Sequence, residues 1–276
     1  MPIKFATELE TVVIIDASYL AHFCIFSAYS TFEKTFGAPK DIHNYDFSQD
    51  AEYIGFFKQR VTNLVSSIRN KYFVKNEIIF CSDCKRTSIW RKEFFPDYKI
   101  DREVKDETKP NFGTIFRYYN SQLIPSLIED YGYKWLKHPR SEGDDIIAIL
   151  KKHIRSTLPN THIVIIANDR DFLQLYDNKT NIFNLFGEEI NKNSTGCPKK
   201  DLLVKILMGD KGDCIPAIKD RLGQGTALKL VENTEKLKIL LSDKEILEKF
   251  KHNKRLIDFK EIPEIIQQEV IELYNA

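Results

Sequence analysis

At 276 residues the chain is long enough for one large domain or a main domain with an appendage, and its 42% hydrophobic and 29% charged residues fit a globular protein. A net charge of +1 excludes a uniformly basic nucleic-acid-binding domain, and no apolar run approaches the roughly 18 residues a membrane span needs. The amino terminus lacks the basic and apolar regions of a secretory signal, so the expected compartment is the cytoplasm.

Val12 to Ile15 is a β-branched run ending at Asp16, the pattern of a buried parallel strand whose last residue emerges at the carboxyl edge of a sheet. Phe56, Phe57, Val61, Leu64, Val65 and Ile68 recur at three-to-four spacing and predict a helix over 52–71. The run 77–81 predicts the next strand, ending near Asp83. Cys81 and Cys84 have C-x-x-C spacing, but no second pair or suitably spaced histidine accompanies them. The five scattered cysteines therefore predict reduced thiols rather than a zinc site or a disulfide framework.

Residues 89–110, charged and holding two prolines, predict a loop or mobile helical excursion. Lys85, Arg86, Arg91, Lys92, Lys99 and Arg102 concentrate positive charge in and just before it. Helices over 112–130 and 144–156 then alternate with strands over 133–136, 162–167 and 181–186. This alternation implies an α/β fold with a central, mostly parallel sheet flanked by helices. After Pro198 the pattern is helical only, over 200–208, 226–232, 234–241, 244–250 and 263–274. The expected division is an α/β domain over 1–195 and a helical subdomain over 196–276.

Ligands of such sheets bind beyond the carboxyl ends of the strands, so acids following successive strands are expected to share one rim. In chain order these are Asp16, Asp83, Glu142, Asp144, Asp145, Asp169 and Asp171, joined by Asp210 and Asp213. Neighbouring carboxylates raise one another's pKa unless a cation neutralises them, and oxygen donors without histidine suit Mg²⁺ or Mn²⁺ better than zinc. Helix capping is the alternative account of Glu142 to Asp145, and a polar turn that of Asp169 and Asp171. The six histidines show neither metal spacing nor a partnered nucleophile.

Val12 to Leu20, Trp90 to Lys99, Glu142-Gly143-Asp144-Asp145, Asn168 to Phe172 and Gly209-Asp210-Lys211-Gly212-Asp213 stand in the order used by the 5′-nucleases of the flap endonuclease family. The chain resembles that family over nearly its whole length. The resemblance implies a PIN-like 5′-nuclease fold, with an arch region at about 85–120 over the site. It also implies a DNA-binding role for 196–276 through a helix-hairpin-helix-like element at Gly223-Gln224-Gly225. The implied activity is metal-dependent 5′-3′ hydrolysis of phosphodiester bonds by a two-metal mechanism, removing RNA primers or 5′ flaps in replication.

On the same resemblance, Asp16, Asp83, Glu142, Asp144 and Asp169 would surround one Mg²⁺ and Asp171, Asp210 and Asp213 a second, with Mn²⁺ able to substitute. Asp145 would assist either ion or only support its helix. Lys99 and Arg102 would act on the scissile phosphate, with Arg91 as a third contact. Tyr98 would stack on a displaced base, or pack against Phe94 or Phe95. Lys92, Lys219, Gly223 and Gly225 would meet nucleic acid, although Cys214, Ala217 and the stretch 219–222 depart from the family pattern. The implied partners are DNA as a 5′ flap or a nicked or forked duplex, RNA–DNA hybrid, and a single-stranded DNA-binding protein or sliding clamp, for a monomer off the membrane. A PIN-type ribonuclease is disfavoured by the arch-like segment and helical carboxyl region. A non-catalytic, structure-specific DNA-binding protein is disfavoured by retention of the matched acids with Lys99.

Overall fold

This computed structural model describes residues 11–72, 77–103 and 109–276, except the side chains of 102, 103, 192 and 193. Five strands, β1 (Thr11–Asp16), β2 (Glu77–Ser82), β3 (Lys134–Lys137), β4 (His162–Ile166) and β5 (Thr180–Phe183), form one sheet in the order β3-β2-β1-β4-β5. Every pair is parallel, and β1 is held on both sides, with Val13 opposite Ile78 and Val164. Strand order reverses at β1, which opens a crevice at the carboxyl ends of β1 and β4.

Alternation along each strand sends neighbouring side chains to opposite faces. Val13, Ile15, Phe80, Val164 and Ile166 pack under α1 (Ala17–Phe36), α2 (Ala51–Lys71), α3 (Gly113–Tyr118) and α4 (Ile124–Tyr131). Val12, Ile14, Ile79, Cys81, Ile163 and Ile165 pack instead under α5 (Gly143–Thr157) and α10 (Glu264–Asn275).

Helix α1 is absent from the sequence expectations. Its buried stripe of Leu20, Ala21, Cys24, Ile25, Ala28 and Phe32 is flanked by Tyr19, Phe23 and Tyr29, which also pack on the core. Apolar residues therefore surround much of the helix and blur the polar face that would announce it. The single helix expected over 112–130 is interrupted by a π-helical turn at Tyr119–Leu123, where the Ile124 N–H reaches back to the Tyr119 carbonyl. Pro125 follows at once, and its missing N–H already interrupts regular i to i−4 bonding there.

Four helices, α6 (Pro198–Met208), α7 (Gln224–Glu232), α8 (Thr234–Leu241) and α9 (Lys244–Ile257), gather around Val204, Leu207, Ile218, Leu222 and Ala227. The expected boundary at 195 needs correction for the last helix. Ile262, Ile266 and Val270 belong to the core beneath the sheet, so α10 is part of the α/β body rather than of a helical unit. Within the span expected to form an arch, 85–120, several residues belong to the core. Trp90 is 1% exposed within the same core, and Ile115 and Tyr119 are core residues on the opposite face. Residues 104–108 lie outside the described residues. Among the described residues no helix is long and apolar enough to cross a membrane.

Candidate metal centre

Asp16 and Asp169 are each anchored by the backbone that follows them, and Asp83 by more distant groups. Asp16 accepts the Tyr19 N–H at 2.9 Å and so caps α1, while Asp169 accepts the Asp171 N–H at 2.9 Å and caps a 3-10 turn over Arg170–Leu175. Asp83, just past β2, accepts the Gly143 N–H at 2.7 Å and the Ser18 hydroxyl at 2.6 Å, joining three elements. Asp210 caps the turn Lys211–Asp213 through the Gly212 N–H at 2.8 Å. Its approach requires Gly209, where φ is +67° and a Cβ would stand 2.4 Å from the Ile215 carbonyl oxygen.

The anchors of Asp16, Asp83 and Asp169 converge on one cavity of about 410 Å³ lined by Asp16, Asp83, Glu142, Asp144, Asp169, Asp171 and Asp213, with Lys99, Tyr19 and His22 among its other walls, while Asp210 lines the neighbouring cavity. Asp171, Asp210 and Asp213 form a second grouping, with one carboxylate oxygen from each within 4.8 Å of the others. Burial, with Asp83 and Asp169 adding like charge, pushes Asp16 up to about 7. Burial, then Asp16 and Asp169, hold Asp144 well above the usual carboxylate range. Burial likewise raises Asp171 to about 6, with Asp169 and Asp210 adding to the rise and Lys205 opposing it. Such a set of hard oxygen donors, too crowded to ionise together, fits a divalent cation of the Mg²⁺ or Mn²⁺ kind.

Two acids behave differently because cations already meet them. Burial alone would raise Glu142, but Lys99 and Arg91 hold it below the usual range. The Lys99 ammonium contacts Glu142 and lies 3.7 Å from Asp213, and these acids raise its pKa against the opposing effect of burial. Lys99 takes this position from a backbone at φ +58°, with its N–H donating to the Asp213 carbonyl at 3.1 Å.

Three expected site residues, Asp145, Arg91 and Tyr98, are buried in a network beside the cavity, with Arg91 and Tyr98 also in its wall. Asp145 is 0% exposed and its carboxylate receives Arg91 at 2.7 and 2.9 Å, the Trp90 indole N–H at 2.9 Å and the Glu142 N–H at 3.2 Å. Adjacent residues on a helix point about 100° apart, so Asp144 faces the cavity while Asp145 completes the capping box of α5. Arg91, expected on a phosphate, is 3% exposed and divides its donors among Asp145, Glu142 and the Leu256 carbonyl. Tyr98, expected on a displaced base or packed against Phe94 or Phe95, is 3% exposed among Ile89, Ile206, Ile215 and Leu256, with Phe95 packed against the same cluster. Its hydroxyl stands 2.9 Å from Glu142 and 3.1 Å from Asp213.

Lys92 is half-buried and outside the cavity, Lys219, Gly223 and Gly225 are exposed near the start of α7, and the Arg102 side chain lies outside the described residues. The Ser18 hydroxyl also reaches Asp83, across 65 positions of the chain. Lys205 is not among the expected site residues. It contacts Asp171 and pairs with Asp210 at 2.8 Å, and its only sequence signal is a lysine between the buried Val204 and Ile206 of α6.

A family model described as 5′-3′ exonuclease, N-terminal resolvase-like domain, matches residues 11–203. The chain is 29% identical over 218 residues to the Ribonuclease H of Enterobacteria phage T4, covering 72% of this chain and 70% of that protein. It is 26% identical over 272 residues to DNA polymerase I of Lactococcus lactis subsp. cremoris, and there it covers 95% of itself but spans only 28% of the polymerase. Among solved structures it is similar to a bacteriophage T5 flap endonuclease variant in complex with DNA and metal ions. That likeness has TM-score 0.67 and 16% identity, and covers 97% of this chain and 100% of the other. A zinc-bound T5 5′-exonuclease gives TM-score 0.63 at 16% identity, covering 96% of this chain and 99% of the other.

Proposed function

We propose, from the premise that this chain belongs to the 5′-3′ exonuclease family, that it is a divalent-metal-dependent nuclease acting at 5′ ends and 5′ flaps of DNA and on the RNA of RNA–DNA hybrids. Asp16, Asp83, Asp144 and Asp169, with Glu142 at their edge, would hold one ion, and Asp171, Asp210 and Asp213 a second. The observation that carries this reading is the crowding of strand-end carboxylates in one cavity, with Asp16 raised to about 7 and Asp144 well above the usual range by burial and mutual repulsion. Bound Mg²⁺ or Mn²⁺ would supply a nucleophile at neutral pH and stabilise charge on the leaving oxygen.

The chain's own residues would do the positioning. Lys99, kept protonated by Glu142 and Asp213, presents a cation at the cavity wall where a phosphate would enter. Arg102 would add a forked donor beside it. Exposed N–H groups at the Gly223 start of α7, with Lys219, would hold the duplex backbone, which is the use of a helix-hairpin-helix-like element. Removal of primers and flaps during replication follows from those substrates.

The test compares 5′-labelled flap, nicked-duplex and hybrid substrates with and without Mg²⁺, beside Asp169→Asn. Mg²⁺-dependent cleavage that the variant loses while retaining its melting temperature is the expected result. Binding of the same substrates with no turnover in Mg²⁺ or Mn²⁺ would instead mark a structure-specific binding protein. Cleavage of single-stranded RNA alone would mark a PIN-type ribonuclease.

A further inference from the structure

The carboxylates of the centre divide by the company they keep. Asp16, Asp83, Asp144 and Asp169 make no ion pair with a lysine or arginine among the described residues. Asp171 and Asp210 share one, the Lys205 ammonium, which contacts the first and lies 2.8 Å from the second. These are two of the three acids whose oxygens come within 4.8 Å of one another. The lysine is about four-fifths covered, its side chain being 21% exposed. It is therefore a built part of the site rather than a surface charge that has wandered in.

We propose that Lys205 is a resident stand-in for the second divalent ion, so that the first ion meets four carboxylates without a paired cation while the second must displace this ammonium. The proposal rests on the reading of Asp171, Asp210 and Asp213 as a cation site. A small dication needs oxygens at about 2.0–2.1 Å, and it would take the same carboxylate oxygens that the ammonium now contacts. Both cations on those oxygens would be like charges in near contact, so they exclude one another.

The displaced side chain has somewhere to go. Lys205 also lines a larger cavity of about 680 Å³ between the 170–175 turn, α6 and the 209–224 segment. Asp201 lines that cavity too, four positions earlier on α6, a spacing that brings the two Cβ atoms within about 5–6 Å of each other. The acid already holds the Ser194 hydroxyl at 2.7 Å and the Thr195 N–H at 2.8 Å, so its carboxylate is fixed in place to receive the ammonium. Filling of the second site would then be coupled to a rotamer change in α6, and the two sites would differ in affinity although both are built of carboxylates.

The measurement is Mn²⁺ binding to the full chain, followed by calorimetry and by the spin-resonance signal of free Mn²⁺, without substrate. Wild type should bind one ion tightly and a second weakly. Lys205→Met, which keeps much of the length but removes the charge, should tighten the second ion by about tenfold and leave the first unchanged. Lys205→Arg should weaken the second, because a fork grips two carboxylates better than an ammonium does. The Arg variant decides the matter if the Met variant does not fold. Equal second-ion affinity in the folded variants and wild type overturns the proposal while leaving the first site intact. No Mn²⁺ bound to wild type at either site overturns the metal-centre reading itself.

Discussion

Asp83 and Gly143 join the sheet to α5 at the centre. The Asp83 carboxylate accepts the Gly143 N–H at 2.7 Å, tying the end of β2 to the first turn of α5 and setting Asp144 beside Asp16. A Cβ at position 143 would stand 3.0 Å from the Cys81 carbonyl oxygen and 3.3 Å from an Asp83 oxygen. Both contacts are tighter than ordinary van der Waals separation, and one of the two atoms belongs to β2 itself.

Gly143→Ala should therefore push α5 away from β2 by a few tenths of an ångström and displace Asp144. The expected outcome is a stability loss of about 1–2 kcal/mol, in the range of small overpacking changes, with a larger proportional loss of Mg²⁺-dependent cleavage. Urea unfolding beside a cleavage assay checks this. A variant that loses stability and activity in parallel would place the glycine in ordinary packing.

Arg91 tests whether the buried network is architecture or a substrate contact. Arg91→Ala leaves Asp145 sealed without its cation, which costs about 3–5 kcal/mol for a buried pair broken on one side. Arg91→Lys keeps the charge but not the fork and should lie between Ala and wild type. Denaturant unfolding reads the loss directly. Normal stability with weakened DNA affinity would return Arg91 to the role of phosphate contact.

Tyr98→Phe separates the two roles open to that ring. Base stacking would survive the change, since the aromatic face is kept. The hydroxyl between Glu142 and Asp213 would not survive it, and its loss from a buried site should cost about 1–3 kcal/mol. The expected result is a lower melting temperature and slower cleavage with unchanged affinity for flap DNA, measured by calorimetric melting, single-turnover cleavage and titration.

Stability should fall with rising pH in EDTA. Burial raises Asp16 from 3.8 to about 7 and Asp171 from 3.8 to about 6, each helped by neighbouring acids. Between those limits the folded chain keeps protons that the unfolded chain has released, so folding is favoured at the acid end and loses free energy as pH rises through the folded values. Mg²⁺ binds the deprotonated carboxylates, so the melting temperature gained by adding it should widen from about pH 5 to about pH 7.5. A gain independent of pH would contradict the placement of these acids at a cation site.

Much of the centre was readable from the chain because β1, β2 and β4 are buried on both faces. Burial forces continuous runs such as Val12 to Ile15, and Asp16, Asp83 and Asp169 stand where those runs meet solvent. Helix α1 is not legible in the chain because its aromatic flanks hide the polar face, and the apolar stripe of α10 does not say which surface it covers. Lys205 carries no such signal because Asp171 is brought to it by folding, from the turn after β4, although Asp210 lies just beyond the end of its own helix.

The sequence by itself determined the strand ends and the stock of acids, since hydrophobic runs and their polar stops are local properties. Only the tertiary structure decided which acids turn toward one another. Asp144 and Asp145 are neighbours of identical chemistry, yet about 100° of helical rotation sends one to the cavity and the other to Arg91. That outcome follows from how α5 docks on the sheet and on the Trp90–Glu93 turn, and docking is fixed by contacts between residues far apart in the chain.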